Sequence, residues 1–375
     1  MKVIRTFHPI GQGAFYSEQF INDNNTPIGT IVYDCGSNNL TCLKKIIPGC
    51  FMSRDIDILF ISHFDADHIN GISTLKKYYN IKRVIMPLIH VPDKILLKIY
   101  YAATCNNKSE LKHGLKIIDD PKVFFDSEHT KITFVTPIEN AENNELGQEV
   151  NSNELSETIY SHTPITYQRD NLTWTYIPLH YKKDERIKVF RKALQDQKIS
   201  IDNWNDDLFE DTELIKKIRK EVYKKLKGGT NGNSLMLYSG TNTKNHSFIY
   251  YSSAPFPDYY EHFIHHCFVE KSGCIYLGDM DLNYVDVLSD IKSSLARYNN
   301  TIGLIQVPHH GAKESYNVKL LSDFPDNQYY ALSYGIRNRY GHPSHMVICS
   351  IISNFKYLFL VNEDVRSMCT QIIEV

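Results

Sequence analysis

The sequence predicts an α/β protein in which strands alternate with helices. Short apolar runs with the length of buried strands recur through residues 1–89 and 229–375. Stretches with helical periodicity lie between several of them. At 375 residues, the chain is long enough to bury one large core or two modest ones.

The outer parts of the chain supply the elements of this prediction. The first part is expected to hold strands at 3–7, 30–33, 57–62 and 82–86, with a helix at 69–79. After residue 228, the expected strands are 234–238, 248–251, 274–277, 301–307, 329–333 and 357–361. The expected helices there are 282–297, 314–321 and 344–354, and the aromatic stretch 259–268 is also expected to be helical. This alternation favours a layered α/β fold over an all-β fold.

The middle of the chain, residues 90–228, departs from that rhythm. It contains predicted helices at 92–103, 183–194 and 211–227, a hairpin-like pair at 123–125 and 132–136, and a polar stretch at 140–157. We interpret 90–228 as a large, mostly helical insertion into a core formed by 1–89 and 229–375. Whether such an insertion binds substrate, a partner chain or neither stays open, and a role as a cap over the site is implied only by the family resemblance described below.

Composition excludes some classes of protein. The 41 basic and 43 acidic residues give a net charge of -2, so no global charge bias indicates nucleic acid or an acidic membrane as partner. No run of 18 apolar residues is present, and the first residues lack the apolar core of a signal peptide. The eight cysteines form no CxxC pair, which favours reduced thiols and a cytoplasmic location.

Four side chains with metal-binding chemistry follow the apolar run 58–62. They lie within six residues of one another and are His63, Asp65, Asp67 and His68. Carboxylates and imidazoles crowded on one loop need a compensating cation or solvent. The ligand-type residues that follow later predicted strands are Asp279, His309, His310 and His342. Because α/β sheets place their sites at the carboxyl ends of strands, these residues predict a site for one or two divalent cations.

Six short motifs in order resemble the metallo-β-lactamase superfamily. They are GQG at 11–13, DCG at 34–36, HFDADH at 63–68, GD at 278–279, HHG at 309–311 and NRYGHP at 338–343. The aspartate at position 65, where the superfamily usually has histidine, is typical of the ComEC-like branch. The resemblance covers roughly 1–85 and 230–375, and implies a free-standing member with an αβ/βα sandwich.

The resemblance also implies roles for the ligand-type residues. One metal would take His63, Asp65 and a later histidine, and the other would take Asp67, His68 and another later histidine. Asp279 would bridge the two metals, and Asp67 would also orient the attacking water or accept its proton. The later histidines are His309 and His342, and their partition between the metals stays open.

The role of His310 has two readings. It would contact substrate or donate a proton to the leaving group, and the alternative is that His310 is the ligand and His309 is structural. The superfamily carries a further histidine before its bridging aspartate. His180 is the one candidate for that position, although its surroundings are typical of a strand end.

Candidate substrate contacts lie in three places. Asn233 and Ser234 resemble a segment that the family carries beside its site, and Asn338 and Tyr340 belong to the last motif. The predicted helix 211–227 is strongly basic over 216–227, and its residues Lys216 and Arg219 would hold a polyanionic backbone. The alternative is a solvated surface helix, partly neutralised by the acidic segment 206–213.

The resemblance implies a metal-dependent phosphodiesterase or nuclease that uses water activated between two divalent ions. Mixed histidine and carboxylate ligands without thiolate suit zinc and also manganese, and we place zinc first. The substrate would be nucleic acid or a nucleotide, in bacterial defence or nucleic-acid processing. The alternative is a hydrolase of the same superfamily that acts on a non-nucleotide ester, lactone or thioester. A third hypothesis, a degenerate scaffold that only binds, conflicts with the complete ligand set.

Overall fold

The computed structural model describes residues 1–89, 91–105, 107–137, 148–181, 184–201, 204–222, 234–243, 245–252 and 264–375. This part of the chain is mixed α/β. Its strands are β1 (Lys2–Phe7), β2 (Tyr16–Ile21), β3 (Pro27–Tyr33), β4 (Asp55–Ile56), β5 (Ile58–Phe60), β6 (Asn80–Ile81), β7 (Arg83–Pro87), β8 (Lys131–Thr136), β9 (Val150–Asn151), β10 (Thr158–Tyr160), β11 (Ile165–Arg169), β12 (Leu172–Leu179), β13 (Met236–Gly240), β14 (Ser247–Ser252), β15 (Ile264–Val269), β16 (Gly273–Tyr276), β17 (Ile302–Gln306), β18 (Tyr329–Ser333), β19 (Tyr357–Val361) and β20 (Cys369–Glu374).

The α-helices of the described residues are mostly short. They are α1 (Leu40–Ile46), α2 (Ala66–Ile69), α3 (Ile72–Tyr78), α4 (Val91–Thr104), α5 (Lys108–Asp119), α6 (Pro121–Phe125), α7 (Asp184–Asp196), α8 (Thr212–Lys217), α9 (Val287–Ser294), α10 (Lys319–Asp323) and α11 (His345–Ser353). A π-helical turn, Ile218–Val222, follows α8, and a 3-10 turn, His309–Gly311, follows β17. No helix of this part of the chain is long and apolar enough to cross a membrane.

Two large sheets organise these elements. The first has ten strands in the order β10-β8-β7-β5-β3-β2-β1-β20-β14-β15, and the second has eight in the order β19-β18-β17-β16-β13-β12-β11-β9. Strands β3, β5, β7 and β8 run parallel in the first sheet, as do β16 to β19 in the second. The carboxyl ends of parallel strands meet at one edge, where loops can place side chains together.

Three apolar cores show how the layers stack. One core joins inward-facing residues of both sheets, from β1 to β3 on one side and from β11 to β13 and β16 to β19 on the other. A second core packs α1, α3, α4 and α5 on the outer face of the first sheet. A third packs α9, α10 and α11 on the outer face of the second sheet. Two facing sheets between two helical layers give each sheet one apolar partner on either side.

A buried ion pair within the first sheet is hydrogen-bonded to the second sheet. Arg5 on β1 donates from Nε to Glu18 on β2 at 2.7 Å, and both side chains are almost inaccessible to solvent. Glu18 in turn accepts hydrogen bonds of 2.7 Å from Tyr176 on β12 and Ser239 on β13. The charge of Arg5 is therefore paired and hydrogen-bonded, which burial requires.

The region 90–228 differs from the expected insertion. Its helices are present, but β8 and β10 extend the first sheet, and β9, β11 and β12 extend the second. The expectation of a separate, mostly helical insertion is therefore not confirmed. These strands pair directly with β7 and β13, and so belong to the sheets that carry the rest of the fold.

Two local predictions were wrong. Residues 123–125 belong to helix α6, because Asp120 caps it by accepting from the backbone N–H of Val123 at 3.0 Å, and Pro121 occupies the first turn. Within the expected helix 259–268, the described residues form β15, which pairs along its whole length with β14. Residues 253–263, 223–233 and 138–147 lie outside the described residues.

Candidate metal centre

The loop after β5 carries the first group of ligand-type residues. The chain leaves β5 at Phe60, and Asp65 takes an extended conformation just before α2 begins at Ala66. The carbonyls of the next ligand residues accept backbone hydrogen bonds from outside the loop, Asp67 from Ala14 at 3.1 Å and His68 from Cys35 at 2.9 Å. Main-chain bonds therefore fix the positions of Asp67 and His68 before any side chain contributes.

Two glycines allow this close approach. A Cβ added to Gly13 would lie 2.4 Å from the carbonyl oxygen of Gly36 and 2.6 Å from that of Asp67. A Cβ added to Gly36 would lie 2.5 Å from backbone atoms of Asp67 and His68. Glycine is thus needed at 13 and 36 because the backbone of the ligand loop occupies the space of a side chain. This gives a physical reason for the GQG and DCG motifs.

Asp279 enters the same region from the second sheet. It follows Gly278, whose φ of +53° suits glycine. Gln306 holds the end of β16 by accepting from the N–H of Leu277 at 2.7 Å and donating to the carbonyl of Gly278 at 3.2 Å. Ser234 completes the support, because its hydroxyl accepts from the N–H of Asp279 at 3.2 Å. The side chains of Gln306 and Ser234 therefore fix the backbone on which the Asp279 carboxylate is carried.

The HHG turn contributes two adjacent histidines. His309 and His310 have φ values of +49° and +52°, a region that non-glycine residues rarely adopt, and Gly311 follows at +75°. This left-handed backbone conformation costs about 1–3 kcal/mol for each non-glycine residue, and it persists where surrounding contacts impose it. The N–H of His309 donates to the carbonyl of Gly278 at 3.0 Å, which ties this turn to the residue before Asp279.

Asp279 lies at the centre of the resulting cluster. Its Oδ1 is 3.2 Å from Nε2 of His68 and 3.9 Å from Nε2 of His310. Its Oδ2 is 3.8 Å from Nε2 of His63 and 3.6 Å from Nε2 of His309. One oxygen therefore faces one pair of imidazoles and the other oxygen faces the second pair.

The aspartates of the first motif extend the two halves. Asp65 Oδ2 lies 3.8 Å from Nε2 of His63, and Asp67 Oδ2 lies 3.5 Å from Nε2 of His310. Two sets, His63 with His68 and Asp279, and Asp67 with His68 and His310, have ligand atoms within 4.8 Å of one another. Ligands on opposite sides of one zinc ion, at about 2.0–2.2 Å each, have nearly this spacing.

Each of four imidazoles is anchored through Nδ1 and turns Nε2 towards the cluster. The Nδ1 partners are the hydroxyl of Ser62 for His63 at 2.8 Å, the carboxylate of Asp34 for His68 at 2.8 Å, the hydroxyl of Ser315 for His309 at 2.8 Å, and the carbonyl of Ser333 for His310 at 3.0 Å. Such anchoring fixes the ring orientation of metal-binding histidines.

The donor atoms that face the cluster fit a divalent cation. The Nε2 atoms of His63, His68 and His310 are buried and make no hydrogen bond to a described residue, although carboxylate oxygens lie 3.2–3.9 Å away. Buried polar atoms are rarely left without a partner. Nitrogen and carboxylate donors that converge on one point are what a metal ion requires.

The charges of the cluster are strongly coupled. Burial lowers the pKa of His63 well below its usual value, and the neighbouring His68 lowers it further. Burial works against protonation of His68 as well, but Asp279 and Asp34 raise its pKa well above the usual value. Burial raises the pKa of Asp65, and the carboxylates of Asp67 and Asp279 add to that rise. A divalent cation would take the place of the proton that the carboxylates hold on His68.

Asp34, Ser62 and Tyr100 are site residues that sequence reasoning missed. Asp34 is fully buried, and its carboxylate accepts from the N–H and the hydroxyl of Ser62 at 2.7 and 2.5 Å as well as contacting His68. Tyr100 on α4 donates its hydroxyl to Asp65 at 3.2 Å. The DCG motif contained the signal for Asp34. No local pattern marks Tyr100, which reaches the site from the expected insertion.

His342 lies next to His309, with the two ring centroids 5.4 Å apart. Like His309, it belongs to neither set of converging ligand atoms among the described residues, and its role as a metal ligand stays a prediction. His310 lies as close to the carboxylates as His309 does. His180, the other candidate, also lies outside both sets, and its N–H donates to Ser161.

The predicted substrate contacts have different surroundings. The side chain of Asn338 is engaged within its own loop, accepting from the N–H groups of Tyr340 and His342 at 3.0 and 3.2 Å and donating to Gly335 at 2.6 Å. Asn338 therefore shapes the loop instead of facing a substrate. Tyr340 is 55% exposed, and its ring centroid lies 5.9 Å from that of His342. Its side chain stays available for substrate.

Ser234 is fully buried, with its hydroxyl 3.2 Å from Nδ1 of His63. It therefore supports the cluster from behind, and the prediction that it contacts substrate is corrected. Asn233 lies outside the described residues. Lys216 on α8 pairs with Glu213 at 2.8 Å, and Arg219 donates to the carbonyls of Ala103 and Cys105 at 2.5 and 3.2 Å. The described part of the basic segment is thus largely engaged by its own surroundings.

Comparisons with known proteins give only distant likenesses. No family model matches the chain, and no curated protein matches it. A metallo-beta-lactamase from Cronobacter sakazakii, a HARLDQ motif mutant, shows 25% identity over 23% of this chain and 33% of its own, with a TM-score of 0.17. An archaeal metallo-beta-lactamase superfamily protein from Sulfolobus tokodaii shows 12% identity over 46% of this chain and 54% of its own, with a TM-score of 0.20.

A third structure, a subclass B3 metallo-beta-lactamase from a soil metagenome library, shows 12% identity over 84% of this chain and 80% of its own, with a TM-score of 0.28. The chain thus spans about a third and about half of the lengths of the first two structures. The structural neighbours of this chain are metallo-beta-lactamase superfamily proteins at low identity.

Proposed function

We propose that this protein is a metal-dependent hydrolase of the metallo-β-lactamase superfamily that cleaves phosphodiesters with two divalent ions. The observation that carries the proposal is the position of Asp279. Its two oxygens face two different pairs of imidazoles, at 3.2–3.9 Å. A carboxylate between two ligand sets is the arrangement that a two-metal hydrolase requires.

The distances around Asp279 support one division of the ligands. His63, Asp65 and His309 would hold one ion, while Asp67, His68 and His310 would hold the other, with Asp279 shared between them. His310 is assigned as a ligand because its Nδ1 is anchored on the carbonyl of Ser333 and its Nε2 faces Asp67. When bound, the ions supply Lewis-acid polarisation of a phosphoryl oxygen and lower the pKa of water.

The other residues position these ligands. Asp34 and Ser62 fix the ring of His68, so that its Nε2 points at Asp279. Tyr100 donates to Oδ2 of Asp65, the same oxygen that faces Nε2 of His63, and so fixes the orientation of this carboxylate. Tyr340 stands at the mouth of the site. Burial raises the pKa of its phenol, Asp67 and Asp65 raise it further, and Arg219 opposes them, so this hydroxyl lies within electrostatic range of the ligands and of a cation.

The metal preference follows from the donor set. Three carboxylates and four imidazoles without a thiolate suit zinc first. Manganese is second, since the aspartate at position 65 makes its half of the site a harder set of donors than a histidine would. The same carboxylates add negative charge, and two divalent ions are needed to make the site attractive to a phosphodiester.

The second candidate is a hydrolase of small esters, lactones or thioesters. It is favoured by the pairing of Lys216 with Glu213 and of Lys220 with Glu221, at 2.8 and 3.8 Å. These contacts reduce the positive charge available to a polymer backbone in the described part of the basic segment. Within the first proposal, the same observation favours a short or cyclic phosphodiester over a long duplex.

The test measures hydrolysis by the purified protein loaded with zinc or manganese. Substrates are bis(p-nitrophenyl) phosphate, single-stranded DNA, RNA, cyclic dinucleotides, p-nitrophenyl acetate and a lactone, each with the wild type and Asp67→Ala. Cleavage of phosphodiesters that is lost in Asp67→Ala supports the proposal. Cleavage of the acetate or lactone alone, with metal bound, overturns it in favour of the second candidate.

A further inference from the structure

A polar pocket of about 400 Å³ lies away from the metal centre, at the amino ends of the parallel strands of the first sheet. Asp57 directly precedes β5, and Arg83 and Lys131 are the first residues of β7 and β8, where they lie side by side in the strand register. The metal ligands follow the other end of β5. The pocket therefore lies at the opposite edge of the sheet from His63.

The lining of this pocket is predominantly basic. Four cationic side chains and a single carboxylate contribute to it, and the remaining side chains are mostly polar. The lining residues are Asp57, Ile58, Lys82, Arg83, His129, Lys131, Ser152, Asn153, Tyr167 and Arg169.

The one carboxylate is fully engaged. Asp57 accepts from Lys82 and Arg169 through Oδ1 at 3.2 and 2.8 Å, and from the N–H of Thr30 and the hydroxyl of Tyr167 through Oδ2 at 2.9 and 3.0 Å. Its charge is thus balanced by cations that it already contacts. Asp57 therefore does not balance the positive charges of Arg83 and Lys131.

Arg83 is the unusual member of the set. Its residue is only 6% exposed, yet none of the carboxylates among the described residues lies within 4.0 Å of its guanidinium. Its Nη1 donates to the hydroxyl of Thr133 at 2.8 Å and to the carbonyl of Leu155 at 3.3 Å, while Nε and Nη2 donate to no described residue. A buried cation without a counter-charge is costly, and a bound anion would remove that cost.

We propose that this pocket binds the phosphate of a small phosphomonoester, with Arg83 and Lys131 as its principal contacts. Arginine presents paired N–H donors that match phosphate oxygens, and lysine adds a second charge. The volume exceeds that of inorganic phosphate and lies within the range of small-ligand sites, so the pocket has room for an organic group attached to the phosphate.

The test measures binding of inorganic phosphate and adenosine 5′-monophosphate to the metal-loaded protein, by calorimetry at constant ionic strength. Asp67→Asn separates this pocket from the metal centre, since it alters the centre alone. Because the metal centre of the wild type can itself hold a phosphate, binding at the pocket is measured in the Asp67→Asn background, where we expect both anions to bind. Arg83→Gln should weaken binding about tenfold or more, the loss expected for a hydrogen-bonded charge.

Two further variants keep the result decisive. Lys131 is exposed, so Lys131→Gln removes one positive charge without disturbing the core. This variant decides the question if Arg83→Gln fails to fold. Lys319→Gln, on α10, is the matched control for loss of one exposed positive charge. Binding that survives Lys131→Gln unchanged, that disappears in Asp67→Asn, or that weakens equally in Lys319→Gln would overturn the proposal, as would absence of binding to the wild type.

Discussion

Asp34 Oδ2 lies 2.8 Å from Nδ1 of His68, and both side chains are almost completely buried. The carboxylate also accepts two bonds from Ser62, so its position does not depend on His68. Asp34 therefore fixes the ring of a residue that faces Asp279 without itself facing the cluster.

The first prediction concerns this pair. Asp34→Asn removes the charge that holds His68, and we expect metal affinity to fall about 10–100-fold, as for other residues that orient metal ligands. Affinity is measured by competition with a chromophoric chelator. Asp126→Asn, an exposed aspartate outside the cluster, is the control and should leave affinity unchanged. Equal affinity in Asp34→Asn and wild type would show that His68 needs no anchor.

The second prediction separates the histidines. His310→Ala removes a nitrogen 3.5 Å from Asp67, and we expect it to lose about one of two bound ions. His342→Ala should retain both, since none of the carboxylates among the described residues lies within 4.0 Å of a His342 nitrogen, whereas Asp279 lies 3.6 Å from His309. The metal content of each purified variant is measured by mass spectrometry. Loss of an ion in His342→Ala, with full content in His310→Ala, would reverse the assignment.

The third prediction concerns the glycines behind the ligand loop. Gly36→Ala would place a Cβ 2.5 Å from backbone atoms of Asp67 and His68, which must then move. We expect a loss of about 1–3 kcal/mol in the free energy of unfolding, the usual cost of overpacking, together with loss of metal binding. Gly49→Ala is the matched control because nothing lies within 4 Å of its added Cβ. Chemical denaturation and metal content measure both effects.

The fourth prediction concerns acid stability. Burial lowers the pKa of His8 from 6.5 to about 3, and its ring stacks on Phe15 with Nε2 2.8 Å from the hydroxyl of Ser17. The unfolded chain takes up a proton there below its ordinary pKa, but the folded chain does not. The contribution of His8 to the free energy of unfolding is thus fully present above the unfolded-state pKa of about 6.5. It decreases by about 1.4 kcal/mol per pH unit as the pH falls from there towards 3.

The measurement is the free energy of unfolding in urea at several pH values across that window. His8→Gln cannot take up this proton, so the dependence of its stability on pH should be shallower than that of the wild type. Parallel curves for the two proteins would mean that His8 is not held neutral in the folded state.

Much of the candidate site could be predicted because its ligands are local in sequence or follow strands. The spacing of His63 and His68 and the strand ends before Asp279 and His309 are visible in the chain itself. The contact of Asp34 with His68 spans 34 residues, and the hydrogen bond of Tyr100 to Asp65 spans 35. Contacts of this kind depend on how elements pack, which no local pattern encodes.

The fold was predictable to a similar depth. Alternating apolar runs predict β1, β5 and β17, whereas the departure of the middle region from that rhythm predicts an insertion, although its strands β8 to β12 belong to the two large sheets. Residues 123–125 have the apolar character of a strand, and the cap at Asp120 overrode it. Pairing partners decide such cases, since a strand is stabilised by neighbours distant in the chain.

His309 and His310 occupy one left-handed turn, yet their Nε2 atoms face opposite oxygens of Asp279. A single peptide bond thus couples the two halves of the centre. Any rotation of this turn that loosened one ion would also displace the ligand of the other. The two halves are therefore expected to shift together, so that a displacement of His309 would also be felt at the groups around His310.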